Sequence, residues 1–237
     1  MEPVWRAAAA ARLSRYRRRA FLRHYKTGTE RKDKIIKAAK QCFYEYGYKG
    51  TTIAMIAEAA GMPQSLVAYY YKKSQLLIQI YEEYILAILK AIDEQAGEAL
   101  ENVLQRHLLL LQLQYQGIYG DERNHAVYRY MMDNSLLSPA VNQIVDTYLL
   151  ECIKEFGIDL PTEVCRQYIV AQYGAYRELV RVYLKEYHQP ANGPLYYFGG
   201  TIALRLAGIS EAVIAKNVEK VERLLPRIDL SGIRFLV

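Results

Sequence analysis

The stretch that decides the fold is residues 31–77, RKDKIIKAAKQCFYEYGYKGTTIAMIAEAAGMPQSLVAYYYKKSQLL. Apolar residues recur in it at helical spacing, in short runs divided by Gly47 and Gly61. We therefore predict three short helices, the third opening at Pro63, where a missing backbone N–H costs nothing. Three helices with a tight turn before the third indicate a helix-turn-helix unit, which sets one helix into a DNA major groove.

The first of these helices should begin near Thr29 and end at Gly47, with its lysines off the apolar side. Thr51 and Thr52 offer hydroxyl oxygens that could cap the second helix. The predicted buried stripe of the first helix is Ile35, Ile36, Ala39, Cys42, Phe43 and Tyr46.

The third helix leaves polar and small residues facing outward. A Gln side chain can pair with an adenine edge, and small side chains let a helix sit deep in the groove. Hydroxyl and ammonium groups serve phosphates, although the same geometry also occurs in helical proteins that bind no nucleic acid. The predicted DNA-binding residues are Thr51, Thr52, Pro63, Gln64, Ser65, Ala68, Tyr69, Tyr70, Lys72 and Lys73.

The distribution of charge agrees with this interpretation. Residues 1–30 hold 8 Lys/Arg against 2 Asp/Glu, and residues 31–77 hold 8 against 3. Residues 78–237 hold 15 against 20, so the excess positive charge lies in the N-terminal third. A basic head on an acidic body is what phosphate binding predicts.

Residues 31–77 resemble the DNA-binding domain of the TetR family of bacterial transcriptional regulators. The resemblance implies a double-stranded DNA operator that is nearly palindromic, a homodimer, and a small-molecule effector of unknown identity bound by the C-terminal part. The matching residues are Arg31, Ile35, Ile36, Ala38, Ala39, Phe43, Gly47, Tyr48, Thr51, Thr52, Ile56, Ala57, Ala60, Gly61, Tyr70, Tyr71, Lys72, Lys73, Leu76 and Leu77.

Three positions depart from the family pattern. Ala68 stands where the family usually has a phosphate-contacting Tyr, Pro63 replaces an opening Ser or Thr, and Lys73-Ser74 reverses the usual Ser-Lys order. We expect Tyr69 or Tyr70 to take over the phosphate contact.

The remainder, residues 78–237, is predicted to be a helical domain for ligand binding and dimerisation, which makes the fold class all-α. In this family the last long helices pair with those of a second subunit, and residues 161–188 and 210–225 are our candidates. The predicted helices are Ser74–Ala96, Glu98–Tyr119, residues 121–137, 139–157, 161–188 and 195–208, and Ser210–Leu225.

This body holds 14 of the 22 tyrosines. Tyrosine combines an apolar ring with a hydrogen-bonding tip, which suits planar or amphipathic ligands, whereas an aromatic stripe at helical spacing is also typical of a plain core. The candidate ligand-binding residues are Tyr115, Tyr119, Tyr128, Met131, Met132, Tyr173, Tyr176 and Arg177, the last as a contact for an anionic ligand.

Residues 1–28 form a separate basic segment, rich in Arg and Ala. Three interpretations remain open: an arm that contacts DNA, a targeting peptide, and a tail that is disordered or results from a translation start placed too far upstream. The domain organisation is therefore a tail or arm at 1–28, a DNA-binding domain at 29–77, and the body at 78–237.

Other classes of function find little support. The three cysteines form no C-x-x-C pair, the four histidines are scattered, and no apolar run reaches the length of a membrane span. We therefore expect no metal, no cofactor, no membrane partner and no catalytic constellation, in a cytoplasmic, nucleoid-associated bacterial protein.

The predicted function is a TetR-type repressor that an effector releases from DNA. The alternative is a chromosome-organising or division-coupled protein of the same fold, without a small-molecule switch.

Overall fold

The computed structural model describes residues 26–134, 136, 139–186 and 193–237. Within these ranges the chain forms helices joined by turns and contains no strand, which confirms the all-α fold. Two 3₁₀ turns lie at Gly97–Ala99 and Leu225–Arg227. The helices are α1 Lys26–Gly50, α2 Ile53–Ala59, α3 Gln64–Tyr70, α4 Lys73–Ala96, α5 Val103–Tyr119, α6 Glu122–Asp133, α7 Pro139–Glu155, α8 Thr162–Glu186, α9 Gly193–Gly200, α10 Ile202–Leu206 and α11 Glu211–Leu224.

The N-terminal unit consists of α1, α2 and α3, with α1 packed on α2 and α2 on α3. Gly47 interrupts α1 at φ +67°, a backbone conformation that favours glycine. The predicted stripe of α1 is buried except for its last member, because Tyr46 is 54% exposed. Beyond the break at Gly47, Tyr48 takes that place in the core and stacks on Phe43 with ring centroids 5.6 Å apart.

Helix α4 connects this unit to the body. Its start differs from the prediction, since Lys72 rather than Ser74 is the N-cap, and the Lys72 backbone N–H donates to Gln75 Oε1 at 2.9 Å. The predicted boundary at residue 77 falls inside this continuous helix. Its inward residues agree with the prediction and are Leu77, Tyr81, Tyr84, Ile85, Ile88 and Ile92.

Helix α5 lies at the centre of the body and packs against α4, α6, α7, α9 and α11. It begins at Val103 rather than near Glu98, because Asn102 caps it by accepting from the Gln105 backbone N–H at 2.9 Å. The chain after α11 returns to this core, where Phe235 is fully buried between Tyr81 and Tyr84.

The predicted helix at 195–208 is two helices, α9 and α10. The break follows Gly199 and Gly200, whose missing side chains let α9 approach its neighbours closely. A Cβ at Gly200 would overlap the Leu111 side chain, and the Gly200 carbonyl lies 2.7 Å from His107 Nε2. Helix α6 is shorter than the predicted 121–137, and the predictions on residues 1–25, Ser138 and the end of the helix at His188 lie outside the described residues.

Candidate nucleic-acid interface and interior tyrosine cluster

The turn between α2 and α3 has the predicted helix-turn-helix form. Thr52 caps α2 by accepting from the Met55 backbone N–H at 3.2 Å. Gly61 then adopts φ +63°, and the Met62 N–H donates to the Ala57 carbonyl at 2.9 Å. Pro63 is the N-cap residue, one position before the predicted first turn, and α3 begins at Gln64.

The outer face of α3 is the one predicted from the sequence. Gln64, Ser65, Ala68 and Tyr69 are all exposed, and Tyr69 is 82% exposed, an unusual state for a large aromatic side chain. Val67 on the opposite side of the helix is fully buried. One face of α3 is therefore packed against the unit and the other is exposed to solvent. Pro63 is exposed at the start of α3, and Lys72 is exposed just beyond its end.

Thr51 does not belong to this surface. Its side chain is fully buried, and its Oγ1 donates toward the carbonyl oxygens of Cys42 at 2.9 Å and Gly47 at 2.8 Å. A hydroxyl engaged in this way ties the start of α2 to the end of α1 and cannot reach a phosphate. Thr52 is exposed and remains a candidate.

Lys73 also has an internal role. Its Nζ donates to the backbone carbonyls of Tyr48 at 3.0 Å and Thr51 at 2.8 Å, and lies 4.3 Å from the Tyr48 ring centroid. These contacts hold α4 against the turn before α2, so Lys73 positions the unit. Its neighbour Lys72 is exposed and keeps its ammonium group available.

Two tyrosines follow the small Ala68. Tyr69 and Tyr70 meet edge to face with ring centroids 5.4 Å apart, and Lys32 Nζ lies 5.7 Å from the centre of the Tyr70 ring. Lys32 thus brings a positive charge from α1 to the side of α3. The sequence pattern had not singled out Lys32 for this surface, because the contact joins residues far apart in the chain.

The body contains a second assembly, which we call the tyrosine cluster. Most of its rings form a connected series of contacts, the shortest between Tyr115 and Tyr196 with centroids 4.1 Å apart. Tyr84 joins the series through Phe235, and Tyr173 interacts electrostatically with Tyr128. Tyr119 contacts Tyr196 at 5.5 Å and Tyr128 at 6.1 Å. The members are Tyr81, Tyr84, Tyr115, Tyr119, Tyr128, Tyr173, Tyr176 and Tyr196, on helices α4, α5, α6, α8 and α9.

The hydroxyls of the cluster divide into two groups. Gln114 Nε2 donates to Tyr81 at 2.5 Å and lies 3.3 Å from the Tyr128 hydroxyl, and Tyr173 donates to Asp146 Oδ1 at 3.0 Å. The buried hydroxyls of Tyr119 and Tyr196, by contrast, interact with each other, and His125 Nε2 is buried without a hydrogen-bond partner among the described residues. An unpaired polar atom in a core is costly, so His125 beside these rings marks the cluster as a candidate binding site.

Burial dominates the electrostatics of this interior. It raises the pKa values of the tyrosine hydroxyls in the cluster and lowers the pKa of His125, to which Arg129 also contributes. It also raises the pKa of Asp146, although the hydrogen bond from Tyr173 opposes this shift. The cluster is therefore a largely uncharged, aromatic environment with the Asp146 carboxyl and the Arg129 guanidinium at its edges.

The structure brings together most of the ligand-binding residues predicted from the sequence. Met131 and Met132 are buried in the core near the cluster's Tyr128 on α6. Arg177 is exposed and does not face this interior, which corrects its predicted role as a ligand contact. Sequence reasoning had placed Tyr81 and Tyr84 inward from the period of α4, but it assigned none of five groups to this site: Tyr81, Tyr84, His125, Asp146 and Tyr196.

Helix α6 lies between the tyrosine cluster and the N-terminal unit. On the side of α1, Tyr48 stacks on Tyr130 with ring centroids 4.5 Å apart, and the Tyr44 hydroxyl donates to Asp121 Oδ2 at 2.9 Å. Burial disfavours ionisation of Asp121, but hydrogen bonds from the Asn124 backbone N–H and Tyr44 outweigh it, so its pKa is lowered. Tyr128, two residues from Tyr130, belongs to the cluster, so one helix contacts both sites.

None of the helices in the described part of the chain is long and apolar enough to cross a membrane. Over the same residues, no group of three or more His, Cys, Asp or Glu side chains is arranged to hold a metal ion. All three cysteines are buried and unpaired.

Part of the chain, including the helix-turn-helix unit, resembles known proteins in sequence. A model of bacterial regulatory proteins of the tetR family matches residues 35–80. The probable HTH-type transcriptional regulator YttP of Bacillus subtilis strain 168 is 29% identical over 126 residues, which cover 51% of this chain and 58% of YttP. The HTH-type transcriptional repressor AcnR of Corynebacterium jeikeium strain K411 is 36% identical over 55 residues, 23% of this chain and 29% of AcnR.

The fold extends the likeness beyond that unit. The crystal structure of RolR without ligand aligns with a TM-score of 0.58 and 17% identity over 83% of this chain and 100% of RolR. The sequence matches span little more than half of YttP and less of AcnR. Residues 35–80 thus match the model of bacterial regulatory proteins of the tetR family, and the fold of the chain is similar to that of RolR.

Proposed function

We propose that the chain is a dimeric, sequence-specific DNA-binding regulator that represses from a palindromic operator and leaves it when a small molecule enters the body. The observation that carries DNA binding is the exposed face of α3, where Gln64, Ser65 and Tyr69 project from a folded helix-turn-helix unit. An amide can read an adenine edge, and the phenol and nearby ammonium groups can bind phosphates. The match of residues 35–80 to the tetR family model and the partial resemblance of the chain to AcnR, named as a repressor, support the proposal.

A surface suited to dimerisation lies on α8, α9 and α10. These helices form an open apolar groove of about 630 Å³, and Phe198 and Leu206 on its walls are 47% and 49% exposed. The outer face of α11, our other sequence candidate, is instead charged, with Glu211, Lys216 and Glu219 exposed. We therefore assign the subunit contact to α8 with α9 and α10. A two-fold axis there would match a near-palindromic operator.

The proposed switch runs through α6 and α4. A ligand that fits the tyrosine cluster better in one arrangement of these helices shifts the population toward that arrangement. Because Tyr130 of α6 stacks on Tyr48 and α4 begins beside α3, such a shift would change the orientation of α3 relative to the body. The separation of the two α3 helices in a dimer would then no longer match the spacing of successive major grooves.

The alternative is a DNA-binding protein of the same fold without a small-molecule switch. The close ring contacts of the cluster, 4.1 Å at the shortest, favour that alternative. The buried His125 Nε2, which has no partner among the described residues and lies beside Tyr119, favours the switch, since a fully satisfied core would not leave it unpaired.

Selection of bound duplexes from a random DNA pool, at near-physiological salt, tests DNA recognition. We expect the full chain to select a near-palindromic consensus, and Gln64→Ala to relax it at one position in each half-site. Gln116→Ala, an exposed glutamine of α5, is the matched control and should select the same consensus. Salt-sensitive binding without a consensus would refute sequence-specific regulation. Repeating the selection without residues 1–28 tests whether the basic segment acts as an arm.

A further inference from the structure

The segment that follows the last helix and 3₁₀ turn, residues 228–237, lies along α4 without forming a helix or strand, and we call it the strap. Gln95, near the end of α4, holds its start. The Gln95 Nε2 donates to the Asp229 carbonyl at 3.1 Å, and the Asp229 N–H donates to Gln95 Oε1 at 2.7 Å. Further along, Phe235 contacts the rings of Tyr81 and Tyr84 with centroids 5.8 Å and 5.7 Å away. Gln95 and Tyr81 are roughly four turns apart, so the strap follows α4 back toward the helix-turn-helix unit.

The strap also reaches α1 of that unit. Lys40 Nζ on α1 donates to the backbone carbonyl of Arg234 at 3.5 Å, next to the buried Phe235. Lys40 is half-buried, and burial lowers its pKa, whereas the Glu83 carboxylate of α4 opposes this shift. Helix α1 also packs on α4 directly. Lys40 therefore lies where α1, α4 and the strap meet.

The strap is held unevenly along its length. Its hydrogen bonds to Gln95 and Lys40 are exposed to solvent, where such bonds contribute little. Phe235 and Leu236, by contrast, are 0% and 3% exposed. Between Ile228 and Phe235, a range that the structure describes throughout, no side chain is buried. Loss of the Phe235 contact would therefore free the strap from residue 229 onward.

The two tyrosines under Phe235 belong to the hydrogen-bonded part of the tyrosine cluster. Gln114 of α5 connects them, because its Nε2 donates to the Tyr81 hydroxyl at 2.5 Å and its carbonyl accepts from the Tyr84 hydroxyl at 3.3 Å. The same Nε2 lies 3.3 Å from the Tyr128 hydroxyl of α6. A rearrangement of these rings would therefore act directly on the contact that holds the strap.

We propose that the strap, seated on α4 through Phe235, holds α1 against α4 through Lys40 and so fixes the orientation of the helix-turn-helix unit relative to the body. This device goes beyond the proposed function, because it acts in the chain without DNA or effector. It gives the body a second connection to α1, separate from the contact of α6 with Tyr48. Lys40 is a positioning residue in this arrangement.

Hydrogen exchange of the full chain without DNA, read by mass spectrometry, tests the strap. Phe235→Ala should raise exchange in the strap and in the part of α1 around Lys40 by at least about fivefold, the lower end of typical couplings between sites. Val237→Ala, which changes an exposed residue of the strap, is the matched control and should leave α1 as in the wild type. Circular dichroism verifies that each variant folds.

A second variant leaves the core intact. Lys40→Met keeps the apolar stem and removes the donor, so it should raise exchange in α1 while Phe235 stays seated on α4. Lys37→Met, on the exposed side of α1, is its control. In the Lys40→Met background Phe235→Ala should add nothing further in α1, because the connection is already lost. Should Phe235→Ala raise exchange equally in every helix, which indicates a loss of global stability, Lys40→Met decides.

Two results would overturn the inference. One is a rise in exchange for Phe235→Ala that is confined to the strap and α4. The other is exchange in α1 that is the same for Lys40→Met as for Lys37→Met.

Operator binding separates this inference from the proposed function. If the wild type selects no specific duplex, the proposed function fails, whereas the exchange experiment still decides whether the strap holds α1. If it selects one, Phe235→Ala and Lys40→Met should each change the affinity for that duplex by at least about fivefold, and Val237→Ala should not. Unchanged affinity in both variants would refute control of the unit's orientation by the strap.

Discussion

Gln64 and Lys72 lie on the same exposed surface but should contribute differently to DNA affinity. Gln64→Ala removes a candidate base contact and should cost about 1–3 kcal/mol on the consensus duplex and little on a scrambled one. Lys72→Ala removes a candidate phosphate contact and should weaken both duplexes, with the slope of log affinity against log salt reduced by about 1. Fluorescence anisotropy over a salt series measures both effects. Equal losses on both duplexes for Gln64→Ala would exclude it as a base contact.

Thr51 should matter for stability. Thr51→Val leaves the carbonyls of Cys42 and Gly47 without its hydroxyl in a buried site and should lower the free energy of unfolding by about 1–3 kcal/mol. Thr51→Ser keeps the hydroxyl and is the control. Urea denaturation measures the change. A Thr51→Val variant that keeps the wild-type stability but binds DNA more weakly would show instead that Thr51 contributes to DNA binding.

At this scale, periodicity predicted the exposed residues of α3 but not the roles of chemically similar neighbours. Thr51 and Thr52 carry the same side chain, and the break at Gly47 decides which is buried. Arg177 follows Tyr176 directly, and one residue along a helix turns the side chain by about 100°, enough to move it from the cluster to the surface. Such a small error in helical phase cannot be detected without the neighbouring helices.

Among the helices, α6 forms the main contact between the body and α1. We expect the stacked Tyr48 and Tyr130 to couple the two parts energetically. A double-mutant cycle with Tyr48→Ala and Tyr130→Ala should give an interaction energy of about 0.5–1.5 kcal/mol in urea denaturation, the range for aromatic pairs. Tyr48→Ala combined with Tyr183→Ala on α8 is the control cycle. Equal interaction energies in the two cycles would contradict a specific contact between α1 and α6.

The sequence predicted the boundaries of some helices better than those of others. The last helix agrees closely with its predicted bounds, Ser210–Leu225, because the Ser210 hydroxyl accepts from the Val213 N–H and caps α11, and Pro226 follows the helix. The break between α9 and α10 was missed, because it depends on the approach of Gly200 to Leu111 and on its carbonyl contact with His107. Caps are local signals, whereas this break results from packing between distant segments.

For the whole molecule, the apolar surface of α8–α10 predicts the subunit contact. Phe198→Glu or Leu206→Glu should convert the proposed dimer to a monomer, because each would place a charge in a desolvated interface, and should weaken operator binding. Ala215→Glu on the exposed face of α11 is the matched control and should remain dimeric. Sedimentation velocity measures the mass. A monomer produced only by Ala215→Glu would assign the contact to α11.

The buried tyrosines should make the fold sensitive to alkali. Burial raises the pKa of Tyr148 to about 12, and the pKa values of the cluster hydroxyls are raised as well. Tyrosines in the unfolded chain ionise at about pH 10. Above that pH the native state binds more protons than the unfolded state, so the free energy of unfolding falls as pH rises. Urea denaturation between about pH 8 and 11 measures the trend, and tyrosinate absorbance should follow unfolding. A constant free energy across this window would contradict the burial of these hydroxyls.

The central claim is that the exposed face of α3 reads a DNA sequence, and the affinity of the full chain for its selected duplex tests it most directly. The comparison is a scrambled duplex of equal length and composition, at near-physiological salt. We expect at least about a thousandfold preference for the selected duplex, the lower end for specific DNA-binding proteins. Tyr69→Ala should weaken binding to both duplexes, because we assign it to phosphate. Equal wild-type affinity for the two duplexes would contradict sequence-specific regulation by this chain.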